Sequence, residues 1–324
     1  MIYGASINEN LGFGVGGYIS GGSQALYKDV TLAGFAGSNE VKTDLTIAEI
    51  AAGLGYRVNE KLKLGLAYRV VVAKANFAFL QRGTGTVANI QVNDLEDTNY
   101  AGFKLGAQYK LSENGAMGFT YRSQTDFAAK GKFGGMVHTS TLNLPIDKTD
   151  ATARTTLPMQ ATLGYQHKLD DSWNFLSEYA WTQYSKVEDI TVEGTLTRSN
   201  GASVIGRDPK VVQKWKDQHN IRLGAEYLAF FIPIRFGYGW TSQVTNTDYA
   251  RASFTAPGSG HTLTLGTGTN VGESLSFDGG LEYTWVKGEG HGAAAGTGGA
   301  GNDIRAGDYS TTAYALHLGA TYHF

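Results

Sequence analysis

The sequence predicts an all-β protein, a transmembrane antiparallel β-barrel of about 12–13 strands that occupies residues 1–324 as one domain. Three observations support this prediction. Apolar and polar side chains alternate with a period of two residues, short turns alternate with long polar connections, and the chain ends with an aromatic residue on an amphipathic strand. The alternation is the dominant signal, and all three observations are typical of outer-membrane barrels.

The alternation is clearest in Leu62–Ala73, where Leu, Tyr and Val side chains on one face alternate with small or charged residues on the other. The same pattern recurs at Phe103–Tyr109, Met117–Arg122, Met159–Tyr165, Ile221–Tyr227, Ile234–Trp240, Leu275–Trp285 and Leu316–Phe324. A soluble β-sandwich also alternates. Here, however, the second face is mainly Gly, Ala, Thr, Gln and single charges, and aromatic residues close the strands. This combination indicates a wall that is apolar outside and polar inside.

The connections between strands alternate in length without exception. Short turns fall at 8–10, 59–61, 112–115, 170–172, 230–232 and 272–274, and long polar or Gly-rich connections fall near 21–43, 82–98, 134–150, 197–213, 246–258 and 288–308. Periplasmic turns and extracellular loops produce this rhythm, whereas a Greek-key sandwich does not. The strands near 61–81 and 172–196 exceed the roughly 9–11 residues that a tilted spanning strand needs. We therefore expect them to extend above the membrane on the outer side.

The two chain ends carry further predictions. Tyr322 and Phe324 lie on the apolar face of the last strand and resemble the signal that the outer-membrane assembly machinery recognises. At the other end, Met1–Ile7 would be a descending strand, parallel to the last one, although bacterial barrels have even, antiparallel counts. Either Met1–Ile7 is not a full strand, or upstream sequence is missing, and we favour the second. The start also lacks the basic and apolar regions of a signal peptide.

Composition excludes several other classes of protein. The chain has no Cys and a net charge of -2, so neither a disulfide framework nor a nucleic-acid partner is indicated. The seven His residues form no H-x-x-x-H or H-E-x-x-H pair, so no metal site is expected. Gly258–His261 lacks the strand–turn–helix context of a nucleophile elbow. We expect no enzyme activity and no cofactor.

Short motifs along the whole chain resemble the FadL/TodX family of outer-membrane transporters. They are Thr43–Leu45, Gly55–Val58, Phe119–Ser123, Thr156–Met159, Glu178–Ser185, Trp215–Asp217, Ile221–Gly224 and Leu318–Phe324, and they occur in the family's order. The resemblance implies passive transport of long-chain fatty acids or other small hydrophobic compounds across the outer membrane of a Gram-negative bacterium. It also implies a monomeric barrel of about fourteen strands, plugged by an N-terminal hatch. The sequence begins at what resembles the second strand, without the hatch and first strand.

The resemblance further implies who the partners are and how the ligand leaves. The partners would be a fatty acid or aromatic hydrocarbon, outer-membrane lipid and lipopolysaccharide, and the assembly machinery. The ligand would leave sideways through an inward kink, which in this sequence falls at Tyr18, Ile19, Ser20, Gly21 and Gly22. Glycine suits such a bend because it adopts positive φ without cost. The alternative is that these glycines begin a flexible loop.

Transport of a fatty acid requires an apolar track with a cation for the carboxylate. The candidate lumen residues are Arg69 and Arg122, then Lys74 and Lys214, with Phe77 and Phe79 lining an apolar pocket above Arg69. The alternatives are a salt-bridge lattice for the cations and packing against a plug for the two Phe. The family's own pocket cations align with Phe79 and Val211, which favours neutral hydrocarbons.

The outer parts of the chain supply the last candidates. We expect Leu80, Leu142, Leu144 and Ile146 to form an outer capture groove, or, alternatively, to anchor loops. The rival function is a general diffusion porin for small hydrophilic solutes, which the charges predicted inside the lumen would also suit.

Overall fold

The structure is a computed structural model that describes residues 1–32, 34–83, 85–197, 210–250, 253–291 and 307–323. These residues form strands and one short 3-10 helix at Tyr184–Lys186. The strands are β1 (Ile2–Ser6), β2 (Leu11–Val30), β3 (Asn39–Arg57), β4 (Leu62–Gly83), β5 (Thr86–Lys110), β6 (Gly115–Arg122), β7 (Thr125–His138), β8 (Asn143–Pro145), β9 (Asp150–Leu157), β10 (Gln160–Lys168), β11 (Trp173–Thr182), β12 (Asp189–Gly194), β13 (Lys210–Val212), β14 (Gln218–Tyr227), β15 (Ile234–Thr241), β16 (Ser259–Val271), β17 (Leu275–Gly290) and β18 (Gly307–Tyr322).

All strand pairings are antiparallel, and they follow one wall. The pairs run from β1 through β2, β3, β4, β5 and β6 to β10, and then through β11, β14, β15, β16 and β17 to β18. The upper parts of the wall pair separately, β5 with β7, β7 with β9, β9 with β12 and β12 with β13. β6 continues into β7, β9 into β10, β11 into β12 and β13 into β14. The described residues therefore make twelve long wall strands beside short β1 and β8.

This architecture confirms the predicted all-β antiparallel barrel wall and its strand number. β1 pairs antiparallel with β2 and consequently runs in the same direction as β18, as the alternation of turns predicts.

The short turns share a local cause. Asn59 Oδ1 accepts hydrogen bonds from the backbone N–H groups of Lys61 and Leu62, both at 2.9 Å. Asn8 does the same in the first turn, and Asp170 in the turn before β11. An Asx side chain thus satisfies the two amides that a tight turn leaves unpaired. Three separate turns follow the same sequence pattern for this reason.

Three of the predicted long connections were placed wrongly. Residues 21–43, 82–98 and 134–150 were expected to be loops, yet β2 continues to Val30, β4 and β5 nearly meet at Gly83 and Thr86, and β7 continues to His138. These segments are polar because they stand in water above the membrane, and their backbones still pair with neighbouring strands in ladders. Conversely, the predicted strand 172–196 is interrupted by the 3-10 helix at Tyr184–Lys186. Most of the predicted loop 288–308 lies outside the described residues.

The outer surface of the wall changes character along β4. Leu64, Leu66 and Tyr68 are 46%, 57% and 51% exposed on the outward face. Outward apolar side chains continue from Leu62 to Val72, a band about 25 Å tall on a tilted strand. Above it the outward face carries ion pairs, the first being Lys74 with Glu96 at 3.2 Å. The upper wall beyond Lys74 therefore stands outside the apolar membrane layer.

The only helical turn in the described residues is that 3-10 segment, and no helix among them is long and apolar enough to cross a bilayer.

Candidate functional site

The upper lumen holds a cluster of buried apolar side chains, which we call the apolar chamber. Its members come from the inward faces of β4, β5, β7, β9, β12 and β13 and from the connections after β8, β12 and β15. The larger ones are Phe77, Phe79, Ile90, Val92, Leu95, Phe133, Val137, Ile146, Ile190, Val192, Leu196, Val211 and Phe254. Each is less than a tenth exposed. They are brought together because, above the middle of the wall, the inward-facing side chains of each of these strands are apolar.

Below the chamber, the inward face carries four charged side chains and one tyrosine that we together call the charged collar: Glu49, Arg69, Lys104, Arg122 and Tyr18. Glu49 is its centre. Arg69 Nη2 donates to Glu49 Oε2 at 2.6 Å, and neither side chain is exposed. The Lys104 ammonium and the Tyr18 hydroxyl contact the other carboxylate oxygen. Arg69 also donates to the carbonyl oxygen of Ser123 at 3.2 Å. The carboxylate is thus held from three sides.

Arg122 differs from the other collar cations. Its Nη2 donates to the carbonyl oxygen of Pro158 at 3.4 Å, and its Nε is buried without a hydrogen-bond partner. In the described residues it has no carboxylate within salt-bridge distance. Arg69, Lys104 and Arg122 together therefore face one carboxylate, Glu49. Arg122 is half-buried, and a cation partly removed from water without a counter-charge is destabilised, so an additional anionic group would suit the collar.

The lower lumen is polar. It contains a cavity of about 1100 Å³, lined by side chains that include Gln108, Glu178, Arg222 and Glu282. The charges here pair with partners one or two strands away. The ion pairs are Arg222 with Glu178, Arg235 with Glu226 at 2.8 Å, and Arg235 with Asp278 at 2.9 Å, the last across β16. His317 lies 3.3 Å from Glu282 on the neighbouring strand. The salt-bridge lattice considered from the sequence is therefore present in this half of the barrel.

A β-bulge lies in β2 where the sequence predicts a bend. Ile19 pairs with Ala48 and Gly21 pairs with Ile47, so Ser20 is an extra residue on β2. A Cβ on Gly22 would lie 2.7 Å from the carbonyl oxygen of Leu45, closer than real side chains approach. The predicted flexible-loop alternative is excluded, because β2 continues as a strand on both sides of the bulge.

The bulge also marks a boundary inside the lumen. Ile47, opposite Gly21, packs against buried Val71 and Ala73 below the chamber. Tyr18, on the other side of the bulge, bonds to Glu49 of the collar. The wall is therefore irregular at the height where apolar lining gives way to charge. A role as a lateral opening remains a prediction.

The connection between β15 and β16 crosses to the opposite wall. Ser23 Oγ donates to the carbonyl oxygen of Phe254 at 2.7 Å, and the Phe254 ring stacks on Phe77 with centroids 5.3 Å apart. Sequence reasoning missed Phe254. Its signal is weak: it is one of two aromatic residues, with Tyr249, in a connection of mainly small and polar residues.

The six predicted lumen residues do not lie together in the structure. Phe77 and Phe79 lie in the chamber, where Phe77 stacks on Phe254. Within the collar, Arg69 is paired with the Glu49 carboxylate, whereas Arg122 has no carboxylate partner among the described residues. Lys74 was placed wrongly: it lies on the outward face, because alternation from Arg69 puts odd-numbered residues of β4 inside. Lys214 Nζ lies 4.8 Å above the Tyr249 ring, in the upper connections.

The predicted outer groove is only partly exposed. Leu80 and Ile146 are 7% and 5% exposed and act as buried anchors, which is the alternative weighed from the sequence. Leu144 packs against the chamber, and Leu142 is 58% exposed.

At the C-terminus, Tyr322 ends β18 and is 60% exposed. Phe324 lies outside the described residues.

In the part of the chain that the structure describes, no three His, Cys, Asp or Glu side chains come together as metal ligands. No residue is therefore assigned to a metal or cofactor.

Comparison with known proteins gives a consistent picture. The profile of the family described as outer membrane protein transport protein (OMPP1/FadL/TodX) matches residues 1–324. Outer membrane protein P1 of Haemophilus influenzae is 25% identical over 320 residues, which cover 88% of this chain and 64% of the relative. A long-chain fatty acid transport protein of Salmonella typhi is 23% identical, with coverages of 69% and 54%. The chain thus spans less than two thirds of these curated relatives.

Among solved structures, the toluene transporter TodX of P. putida superposes with a TM-score of 0.74 at 14% identity, covering 99% of this chain and 81% of that one. At this identity the likeness shows the fold.

Proposed function

The chain belongs to the OMPP1/FadL/TodX family of outer-membrane transport proteins, and from this premise we propose that it carries small hydrophobic molecules passively across the outer membrane, with sideways release near Ser20. The name of the Salmonella relative suggests long-chain fatty acids, and that of TodX suggests toluene. Both ligand classes need an apolar site within the barrel, and the apolar chamber supplies one.

The observation that carries the proposal is the order of surfaces along the lumen. The chamber lies directly above the charged collar, and the polar cavity lies below the collar. Moving an aromatic molecule from the chamber into the polar cavity would expose about 150–250 Å² of apolar surface, at a cost of roughly 4–6 kcal/mol. The downward path is therefore unfavourable for a hydrophobic molecule.

The sideways path avoids this cost. The bulge in β2 lies at the junction of chamber and collar, and next to it Ile19 is 72% exposed on the outward face. On the ladder the bulge is level with Val72 and Ala73, at the upper edge of the outward apolar band, so a molecule that leaves beside Ser20 would enter the outer part of the membrane's apolar layer. We therefore place the lateral opening at Tyr18, Ile19, Ser20, Gly21 and Gly22.

The collar extends the proposal to ligands with a carboxylate. Arg122 has a buried, unpaired Nε and faces a region with more cations than anions. A fatty-acid carboxylate would supply the missing counter-charge while its chain remains in the chamber. Arg122 is therefore our proposed ligand contact, and Arg69 its buried neighbour that holds Glu49. Phe77 and Phe79 would line the chain's path.

A general diffusion porin is the second candidate, because opposed charges line the lower cavity as they do in hydrated pores. The buried chamber above the cavity argues against it.

Reconstitution of the full chain into liposomes separates the two functions. Uptake of toluene or oleate without sugar-driven swelling supports hydrophobic transport. Ready swelling in small sugars, with no hydrocarbon uptake above empty liposomes, would establish the porin instead.

A further inference from the structure

We propose that the Phe254 ring occupies a slot in the apolar chamber that takes a single-ring aromatic hydrocarbon, and that the ligand binds by displacing this ring. The inference rests on the proposed function and names the substrate class for the same chamber. Phe254 would then determine specificity from within the chain.

The space that holds the Phe254 ring matches toluene in shape. Phe254 is 8% exposed, and its ring stacks on Phe77 at 5.3 Å with an interplanar angle of 27°. The phenylalanine side chain is a benzyl group, which is toluene less one hydrogen atom. The space that holds this ring therefore has the size and the stacking surface that toluene needs, since aromatic pairs prefer offset, near-parallel contact.

Phe254 does not belong to the wall. It lies in the connection between Thr241 and Ser259, where the described residues form no strand. Every other large aromatic residue of the chamber, such as Phe77 or Phe133, is fixed in a strand ladder. Phe254 is held instead by its ring contacts and by the hydrogen bond from Ser23 Oγ to its carbonyl oxygen. It can leave the slot without breaking a ladder.

Displacement of the Phe254 ring would occur beside the bulge in β2. Ser23 follows Gly22, so the hydrogen bond that holds Phe254 starts directly above the bulge in β2. Release of Phe254 therefore frees both the slot and the inner side of the proposed opening. A ligand that replaces the ring buries the same surface, so the exchange is close to balanced and reversible.

The test compares Phe254→Ala with the unchanged protein in the full chain. Truncation leaves an apolar cavity, and dry apolar cavities bind small aromatic molecules. We expect Phe254→Ala to lower the melting temperature, toluene to restore at least half of the loss, and labelled toluene to bind at least fivefold more tightly than to the unchanged protein. Decane, which does not fit a ring-shaped slot, should restore much less. Phe231→Ala, in the exposed turn after β14, is the matched control and should change neither quantity.

Two further variants keep the test decisive if Phe254→Ala fails to fold. Phe254→Leu keeps apolar bulk but removes the ring, and Ser23→Ala keeps the ring but removes its hydrogen bond. Both should strengthen toluene binding, by about twofold or more. Unchanged toluene affinity in all three variants, or equal recovery with decane, would overturn the inference.

The result is distinguishable from failure of the proposed function. If unchanged protein fails to take up any hydrophobe while Phe254→Ala still binds toluene selectively, the transport proposal fails and the slot remains. If uptake occurs normally and the Phe254 variants bind toluene like the unchanged protein, the slot is wrong and transport remains.

Discussion

Glu49 and Arg69 lie on neighbouring strands with their charged groups 2.6 Å apart, and both side chains are shielded from solvent. Arg69 is opposite Ala51 in the ladder and reaches diagonally to Glu49. The pair sits where the lumen changes from apolar to polar. It fixes the charged collar to the wall, and the collar in turn bounds the apolar chamber.

Arg69→Ala should strongly destabilise the fold. Removing one partner of a buried ion pair leaves the other charge uncompensated, which typically costs about 3–5 kcal/mol. Lys104 still contacts Glu49, so the lower end of this range is expected. Urea unfolding of the protein in lipid measures the change. Lys74→Ala breaks the exposed pair with Glu96 and should cost about 0–1 kcal/mol. Equal losses in the two variants would contradict a structural role for the collar.

Arg122→Ala should weaken oleate binding about tenfold, because a charge-assisted hydrogen bond contributes roughly 1.5–3 kcal/mol. Toluene binding should stay within about twofold, since toluene has no charge to pair. Equilibrium binding with both labelled ligands measures the ratio. Arg222→Ala, which removes an already paired cation in the lower lumen, is the control. A parallel loss of oleate and toluene binding in Arg122→Ala would show that Arg122 is not a carboxylate site.

Gly22→Ala should slow uptake of hydrophobic compounds severalfold while ligand binding is preserved. The new Cβ would lie 2.7 Å from a backbone oxygen of Leu45, so β2 or β3 must shift at the bulge. Gly55→Ala is the matched control on β3, because its Cβ would meet nothing within 4 Å. Uptake rates in liposomes and binding at equilibrium are the two measurements. Normal uptake in Gly22→Ala despite an altered bulge would reject release at this position.

Asn59→Ala should destabilise the turn between β3 and β4 by about 1 kcal/mol. The change removes the acceptor for two backbone amides at 2.9 Å, and each neutral hydrogen bond contributes roughly 0.5–1.5 kcal/mol before water replaces it. Urea unfolding of the refolded protein measures this. Glu60→Ala in the same turn should have no effect, because Glu60 is exposed and the turn's amides bond to Asn59 instead. Similar losses for both would show that the turn is held by other contacts.

Much of the wall could be predicted from the sequence, because its determinants are local. Alternation along Leu62–Ala73 places Arg69 inside and Leu66 outside, and an Asx residue marks the turns at Asn8, Asn59 and Asp170. The same alternation also places Lys74 outside, so the error there came from choosing a residue by charge. Loop boundaries failed at Val30 and Gly83 because polar composition does not distinguish a loop from a strand in water.

The sequence by itself determined the antiparallel wall, the shared direction of its first and last strands, and the inward position of Arg69 and Arg122. Only the tertiary structure decided which cation is paired. Arg69 and Glu49 meet through a diagonal contact, whereas Arg122 has no carboxylate opposite it. The structure also decided the register shift at Ser20 and the position of Phe254, whose partner Ser23 is 231 residues away. Such contacts depend on how distant segments close around one lumen, and a two-residue period carries no information about them.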